Sequence, residues 1–278
     1  MTLLAVAVAG RGLVEPGDPV VHADDEGFIR GRGAFETLRV YGGLPFKLDA
    51  HLARLTASCA RIGVEPPDAS ECQKLAELAL AEAGEADAVL RFYRTAGREG
   101  ADAPGLLALV SSLPPDLEEQ RTHGTKLLSL LGVQAEAPWL LGGVKSTSYA
   151  VNMAAAAEAR ARGADDAVFV TEDALVLEGP ITNIWWRRGA TLFTPSLDLG
   201  ILAGVTRQTL LELAPAQGYE IREGRFPLAE LAGAEEAFTS SSVRELMPVV
   251  ELDGETLPRG DAATRLQAAL RETAQRLP

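Results

Sequence analysis

Of the 26 Lys and Arg residues, four are lysine: Lys47, Lys74, Lys126 and Lys145. The chain uses arginine wherever it needs only positive charge, so a lysine in an apolar, glycine-rich stretch calls for a reason. Lys145 is that residue, in Gly142-Gly143-Val144-Lys145-Ser146-Thr147-Ser148-Tyr149. An Ala-rich segment of high helix propensity follows from Tyr149 to Arg162, introduced by Ser and Thr and stopped at Gly163. Lys145 is therefore expected just outside the positive end of a helix. The dipole and the apolar surroundings disfavour the ammonium form, and a lysine neutral near physiological pH can form a Schiff base. Taken alone, the stretch fits a surface lysine on a loop as well.

Other residues could serve such an amine. Arg30, Arg32 and Arg39 flank a Gly-Arg-Gly turn and could trap an anion, because a guanidinium fork binds both oxygens of a carboxylate. Arg91 and Arg94 could add to them, although a strand turns the two to opposite faces. Salt bridging to the many acids explains these arginines equally well. Gly204-Val205-Thr206 opens a helix, whose free amides and Thr206 hydroxyl offer a phosphate seat, and Thr239-Ser240-Ser241-Ser242 adds hydroxyls. Glu178 follows the apolar run Ala174–Leu177, where a part-buried carboxylate needs a cationic or hydrogen-bonding partner; an ordinary turn acid fits too. Gly31-Arg32-Gly33 lacks the third glycine of a dinucleotide fingerprint and leads into a strand, which excludes that reading.

The elements that must carry these residues are mixed. Strands are expected at Leu3–Ala9, Ala34–Tyr41, Val89–Thr95 and Leu106–Ser112, with helices from Asp49 (as the cap) to Ile62 and from Ala69 to Ala83. Leu113-Pro114-Pro115-Asp116 marks a boundary. The expected organisation is a small domain over 1–113, a linker over 114–121 and a larger domain over 122–278. The second half holds strands at Lys126–Gly132, Ala167–Val170, Ala174–Leu177, Ile181–Arg187 and Thr191–Phe193. Further strands at Tyr219–Arg225, Ala234–Thr239 and Pro248–Leu252, with helices at Val205–Ala214 and Gly260–Arg276, complete it. Strands and helices do not alternate strictly, so the class is α+β.

Composition narrows the function. A net charge of −13 argues against nucleic acid and anionic membranes as partners. The apolar segment Leu3–Ala9 is too short for a membrane span and lacks a basic flank. Cys59 and Cys72 fall in helical patterns and read as core residues in a reducing cytoplasm, while His22, His51 and His123 lack the spacing of zinc ligands.

Five ordered motifs resemble the class IV aminotransferases, fold type IV enzymes that use pyridoxal 5′-phosphate (PLP). They are Phe35-Glu36-Thr37-Leu38-Arg39-Val40, Asp49-Ala50-His51-Leu52-Ala53-Arg54-Leu55, Lys145-Ser146-Thr147-Ser148-Tyr149, Leu177-Glu178-Gly179-Pro180-Ile181-Thr182-Asn183, and Gly200-Ile201-Leu202-Ala203-Gly204-Val205-Thr206-Arg207. The resemblance implies a small α/β N-terminal domain and a larger pseudo-barrel C-terminal domain. It implies a cofactor site between them, built across a homodimer interface so that the loop with Arg30 serves the partner's site. Lys145 would carry the Schiff base and shuttle the proton. Arg54 would bind the cofactor phosphate with Val205, Thr206, Ser241 and Ser242. Glu178 would pair with the ring nitrogen, Tyr149 would sit near the phenolic oxygen, and Leu202 would pack on the ring.

Within the family, Thr37 stands where branched-chain aminotransferases usually have Gly, so that subgroup recedes. An Arg at position 30 is similar to a subset of D-amino-acid transaminases, in which Arg30 with Arg91 would grip the substrate α-carboxylate. The expected activity is ping-pong transfer from D-amino acids, and from (R)-amines as a side activity, to a 2-oxo acid such as 2-oxoglutarate or pyruvate. The alternative is a 4-amino-4-deoxychorismate lyase, with Thr37 assisting proton transfer as pyruvate leaves.

Overall fold

Gly33–Tyr41 alternates between a helix-covered and an open side, as its sequence pattern requires. The structure is a computed structural model that describes residues 1–101, 104–132 and 141–276. The chain divides into two units. The first comprises Met1–Pro115 together with Val144–Tyr149; the second comprises Asp116–Gly143 and Ala150–Arg276. In the first unit, β1 (Leu3–Val8), β2 (Gly12–Val14), β3 (Gly33–Tyr41), β4 (Leu44–Pro45), β5 (Ala88–Thr95) and β6 (Leu106–Ser111) form an antiparallel sheet in the order β2-β1-β6-β5-β3-β4. Its helices are α1 (Glu26–Ile29), α2 (Leu48–Arg61) and α3 (Ala69–Ala83).

Helices α2 and α3 bury Leu52, Leu55 and Cys59, and Cys72, Leu75, Ala76 and Ala79, at helical spacing. These pack on Leu38, Val40, Leu90, Phe92, Ala108 and Val110 from one face of the sheet. Both cysteines are free and fully buried, and burial pushes each thiol up to about 11. Asp49 does not cap α2. Lys47 takes that position with a left-handed φ of 50°, which leaves Asp49 in the first turn, still favourable to the helix dipole.

The second unit contains α4 (Leu117–His123), a helix in the stretch expected to be linker, then β7 (Thr125–Leu131), α5 (Ala150–Ala161), β8 (Asp166–Val170), β9 (Asn183–Arg188) and β10 (Thr191–Pro195). It continues through α6 (Val205–Leu213), β11 (Glu220–Gly224), α7 (Leu228–Ala232), β12 (Glu236–Ser241), β13 (Glu245–Leu252), β14 (Glu255–Thr256) and α8 (Ala262–Gln275). The sheet runs β11-β10-β9-β12-β13-β7-β8, with β14 paired to β13. Its two outer strands are linked. Leu177 N–H donates to Phe169 of β8 at 2.9 Å, and Val176 N–H donates to Phe226, just past β11, at 2.9 Å. This strap replaces the strand expected over Ala174–Leu177. Ala174 has a φ of 61°, so the segment makes isolated bridges rather than a regular ladder. The closure surrounds a core of Val168, Val176, Ile184, Trp186, Phe193 and Val249. The architecture is a two-domain α+β fold. Among the described residues no helix is long and apolar enough to cross a membrane.

A charged cluster lies under the helix-covered face of β3. Glu36 is fully buried there and accepts from Arg54 Nε and Nη2, each at 2.7 Å, and from His51 Nδ1 at 2.7 Å. Burial is the largest single influence and would raise the Glu36 pKa, but the hydrogen bonds and charges of Arg54 and then His51 outweigh it and bring it to about 2. Burial lowers the His51 pKa, opposed by Glu36 and aided by the charges of Arg54 and Lys145. His51 is therefore a neutral donor to an ionised carboxylate. In the unfolded chain both groups bind protons at higher pH than in the native state, so their stabilisation is present at neutral pH and is lost as pH falls. The histidine's share declines below about 6.5. The glutamate's share, about 3 kcal/mol, declines from about pH 4.5 toward 2. The urea midpoint followed by circular dichroism is expected to drop between pH 5 and 3 more steeply in the native protein than in Glu36→Gln; equal slopes would show that the cluster is not what responds.

Candidate active site

Lys145 is fixed through its backbone. Phe35 N–H donates to the Lys145 carbonyl at 3.0 Å, Thr147 N–H donates to the Gly33 carbonyl at 2.8 Å, and Ala34 bridges Ser146. The segment thus extends the open edge of β3 at its first residues, where the short β4, paired only to Val40 and Tyr41, does not reach. Lys145 N–H also donates to Ser58 Oγ of α2 at 3.2 Å. Gly31 permits this docking. Its φ is +65°, its carbonyl accepts from the hydroxyls of Thr147 and Ser148, each at 3.0 Å, and a Cβ there would collide with Ser148 Oγ. The Gly-Arg-Gly turn therefore serves the lysine segment. Lys145 Nζ lies 4.3 Å from the centre of the Phe35 ring, and Tyr149 meets that ring edge-on at 5.2 Å. The aromatic face attracts a positive charge, an influence opposite to that expected from the helix dipole.

On the sheet face away from α2 and α3, Phe35 stacks on Tyr93 with centroids 5.6 Å apart. Two residues along, Thr37 and Arg91 are direct cross-strand partners, so both share that face. A hydroxyl, a guanidinium and the lysine amine are thus arrayed along one side of β3 and β5. Arg91 donates to Ser111 Oγ at 3.3 Å. On the opposite face, Glu36 holds Arg54 in a side-on fork.

The expected anion trap of Arg30, Arg32 and Arg39 is not assembled, because each arginine has a different partner. Arg30, at the end of α1, pairs with Glu99 at 2.5 Å in an exposed position. Arg32 bonds Glu26 and the carbonyl of Gly63, at the end of α2. Arg39 is buried beside Tyr41. Arg94 donates to the Glu65 carbonyl at 2.7 Å.

In the second unit Glu178 ends the closing strap, and both its oxygens accept N–H donors. Leu202 N–H reaches Oε1 at 3.0 Å and Asn183 Nδ2 reaches Oε2 at 3.2 Å. The same Asn183 amide donates to the Leu202 carbonyl at 3.0 Å. Gly204 approaches Asn183 so closely that a Cβ would collide with Oδ1. It precedes α6, whose first residues, Val205 and Thr206, have amides without partners inside the helix. Helix α6 packs on β12, which ends at Ser241. Ser240, the cross-strand partner of Asn183, accepts from Trp185 Nε1 at 3.0 Å, and Ser241 Oγ accepts from the Arg244 amide at 3.3 Å. Ser242 follows the strand. Asn183 therefore ties the carboxylate, the Leu202 loop and the helix terminus together.

Sequence reasoning assigned no role to Ser58, Glu36, His51 or Asn183. Glu36, His51 and Asn183 stood inside the family-like motifs, but their partners lie on other elements. Each unit carries groups that suit PLP: the first an amine and a guanidinium, the second a carboxylate and the free amides of a helix start.

Comparison with known proteins agrees. The sequence model of the class IV aminotransferases matches residues 33–252. The chain is 36% identical over 262 residues to a bifunctional aminodeoxychorismate lyase / D-amino acid transaminase of Mycobacterium tuberculosis, covering 89% of this chain and 91% of that one. It is 35% identical over 258 residues to the aminodeoxychorismate lyase of Bacillus subtilis, covering 89% and 86%. Among solved structures, a hypothetical aminotransferase from Mycobacterium tuberculosis with α-ketoglutarate and PMP bound superposes with a TM-score of 0.92 at 35% identity, over 97% of this chain and 98% of that one. The PLP-bound form of that protein gives 0.90 over the same shares at 35% identity. This chain belongs to the class IV aminotransferases, whose cofactor is PLP and whose substrates are an amino donor and a 2-oxo acid.

Proposed function

We propose that the protein is a transaminase that moves the amino group of D-amino acids, and of (R)-amines as a side activity, to a 2-oxo acid such as 2-oxoglutarate or pyruvate. The observation that carries this reading is the pairing of Arg91 with Thr37 on the sheet face where Lys145 Nζ lies over Phe35. A carboxylate held by Arg91 would have the lysine amine on the same side of the sheet. Arg30 is the proposed second grip. It is already paired with Glu99, so a substrate carboxylate would take over from that partner.

PLP supplies an electron sink that makes the hydrogen on the substrate α-carbon removable. Lys145 would move that proton away from the α-carbon and, in the second half of a ping-pong cycle, back to it. Glu178, held by Leu202 and Asn183, would serve the ring nitrogen. Arg54, Val205, Thr206, Ser241 and Ser242 would hold the phosphate, Leu202 would pack on the ring, and Tyr149 would attend the phenolic oxygen. A homodimer with shared sites and a cytoplasmic location belong to the same reading. Exposed Phe28 beside Arg30 supports the first, and two free buried thiols support the second.

The second reading is the lyase, which releases pyruvate from 4-amino-4-deoxychorismate to leave 4-aminobenzoate. The Bacillus subtilis relative's name and the position of Thr37 favour it.

Wild-type protein is expected to show the visible absorbance of lysine-bound cofactor, and Lys145→Ala is expected to lose both that absorbance and turnover; colourless wild type that resists reconstitution would remove the enzyme reading. D-Alanine with 2-oxoglutarate should yield pyruvate. Pyruvate from aminodeoxychorismate alone would establish the lyase instead. Arg30→Ala is expected to raise KM for D-amino acids roughly 10–100-fold, the value of a charged hydrogen bond, with little effect on (R)-amines. Equal effects on both substrate types would remove the carboxylate grip.

A further inference from the structure

Arg54 is the proposed cofactor-phosphate residue, and nothing in its own position on α2 fixes where its guanidinium points. The surrounding contacts do. The Glu36 carboxylate engages Nε and Nη2 side-on, each at 2.7 Å, and Glu36 is itself fully buried on β3. His51, three residues before Arg54 and on the same side of the helix, donates from Nδ1 to Glu36 Oε2 at 2.7 Å. The carboxylate thus receives donors on both oxygens from two residues of one helix, and it can rotate toward neither without losing the other. A buried acid in this position is unnecessary for packing, since an apolar residue would fill β3 with less desolvation.

We propose that Glu36 and His51 are positioning residues for the cofactor phosphate, acting by locking the Arg54 guanidinium in one orientation. The inference rests on the reading that Arg54 binds that phosphate. A guanidinium has five N–H donors, and the side-on fork sets the plane in which all of them lie. An arginine so held does not have to be ordered when an anion arrives. Glu36→Gln keeps the size of the side chain but replaces one acceptor with a donor. Whichever way the amide lies, its NH₂ faces an N–H of Arg54 or shares the side occupied by both Arg54 Nη2 and His51, so the fork cannot form intact.

The test uses full-length protein freed of cofactor and compares the binding of PLP with that of pyridoxal, which lacks the phosphate, followed by absorbance of the lysine-bound form. Glu36→Gln is expected to weaken PLP roughly 10–100-fold and to leave pyridoxal nearly unchanged. Arg54→Lys is run beside it. His51→Gln, which leaves the carboxylate in place, is expected to show a smaller loss with the same selectivity for the phosphate, and it carries the test should Glu36→Gln not fold. Equal weakening of PLP and pyridoxal in both the Glu36 and His51 variants would make the pair structural only and overturn the proposal, as would unchanged PLP binding in both. If Arg54→Lys shows no phosphate-selective loss, the assignment of Arg54 itself fails. If Arg54→Lys shows it and the other two variants do not, the positioning role alone fails.

Discussion

The structure depends on a pairing between stretches far apart in sequence: the first residues of β3 and the segment around Lys145. Thr147 and Gly31, 116 positions apart, share a hydrogen bond at its edge. Such a contact carries a large loop-closure cost, which the surrounding sheet and helices must offset. In return the lysine segment is held from three sides, by Phe35, Gly33 and Ser58. An amine proposed to serve two carbons in one cycle suits this arrangement, a four-carbon stem on an anchored backbone.

The second unit ties an acid into the fold through backbone and side-chain amide donors. Glu178 receives a backbone N–H and an amide N–H, neither of which carries a charge. Glu36 is the contrast, since its partner is the Arg54 guanidinium and its charge is spent within the fold. The bonds described for the two acids thus differ in the chemical type of their donors.

Much of the fold was legible. The bounds of α3, Ala69 to Ala83, match expectation because apolar spacing and a stop at Gly84 are local signals. Strands β5 and β6 were legible for the same reason. The start of α2 was not, because Lys47 caps it by backbone conformation with no side-chain bond to announce it. The Ala174–Leu177 run reads as a strand in sequence, yet its bonds go to two distant segments. The candidate site divides along the same line. Lys145, Arg54 and Glu178 stood out by type and motif. The three arginines near Gly31 looked like a cluster because they are near in sequence, but their partners scatter them. Asn183 was passed over because an asparagine after a turn is ordinary until Glu178, Leu202 and Gly204 are seen around it.

Strand β3 has two working edges. Along one, its first residues bind the lysine segment; along the other, Thr37 faces Arg91 of β5. The backbone bonds that anchor the amine are thus independent of the side chains proposed to select the substrate. Replacing residue 37 or 91 alters a cross-strand pair without touching the anchor. One scaffold can therefore exchange its substrate while keeping its chemistry, and relatives of this chain bear both transaminase and lyase names. Mechanically, β3 carries the mount of Lys145 and the pair proposed to face the substrate on separate edges, so either can be altered alone.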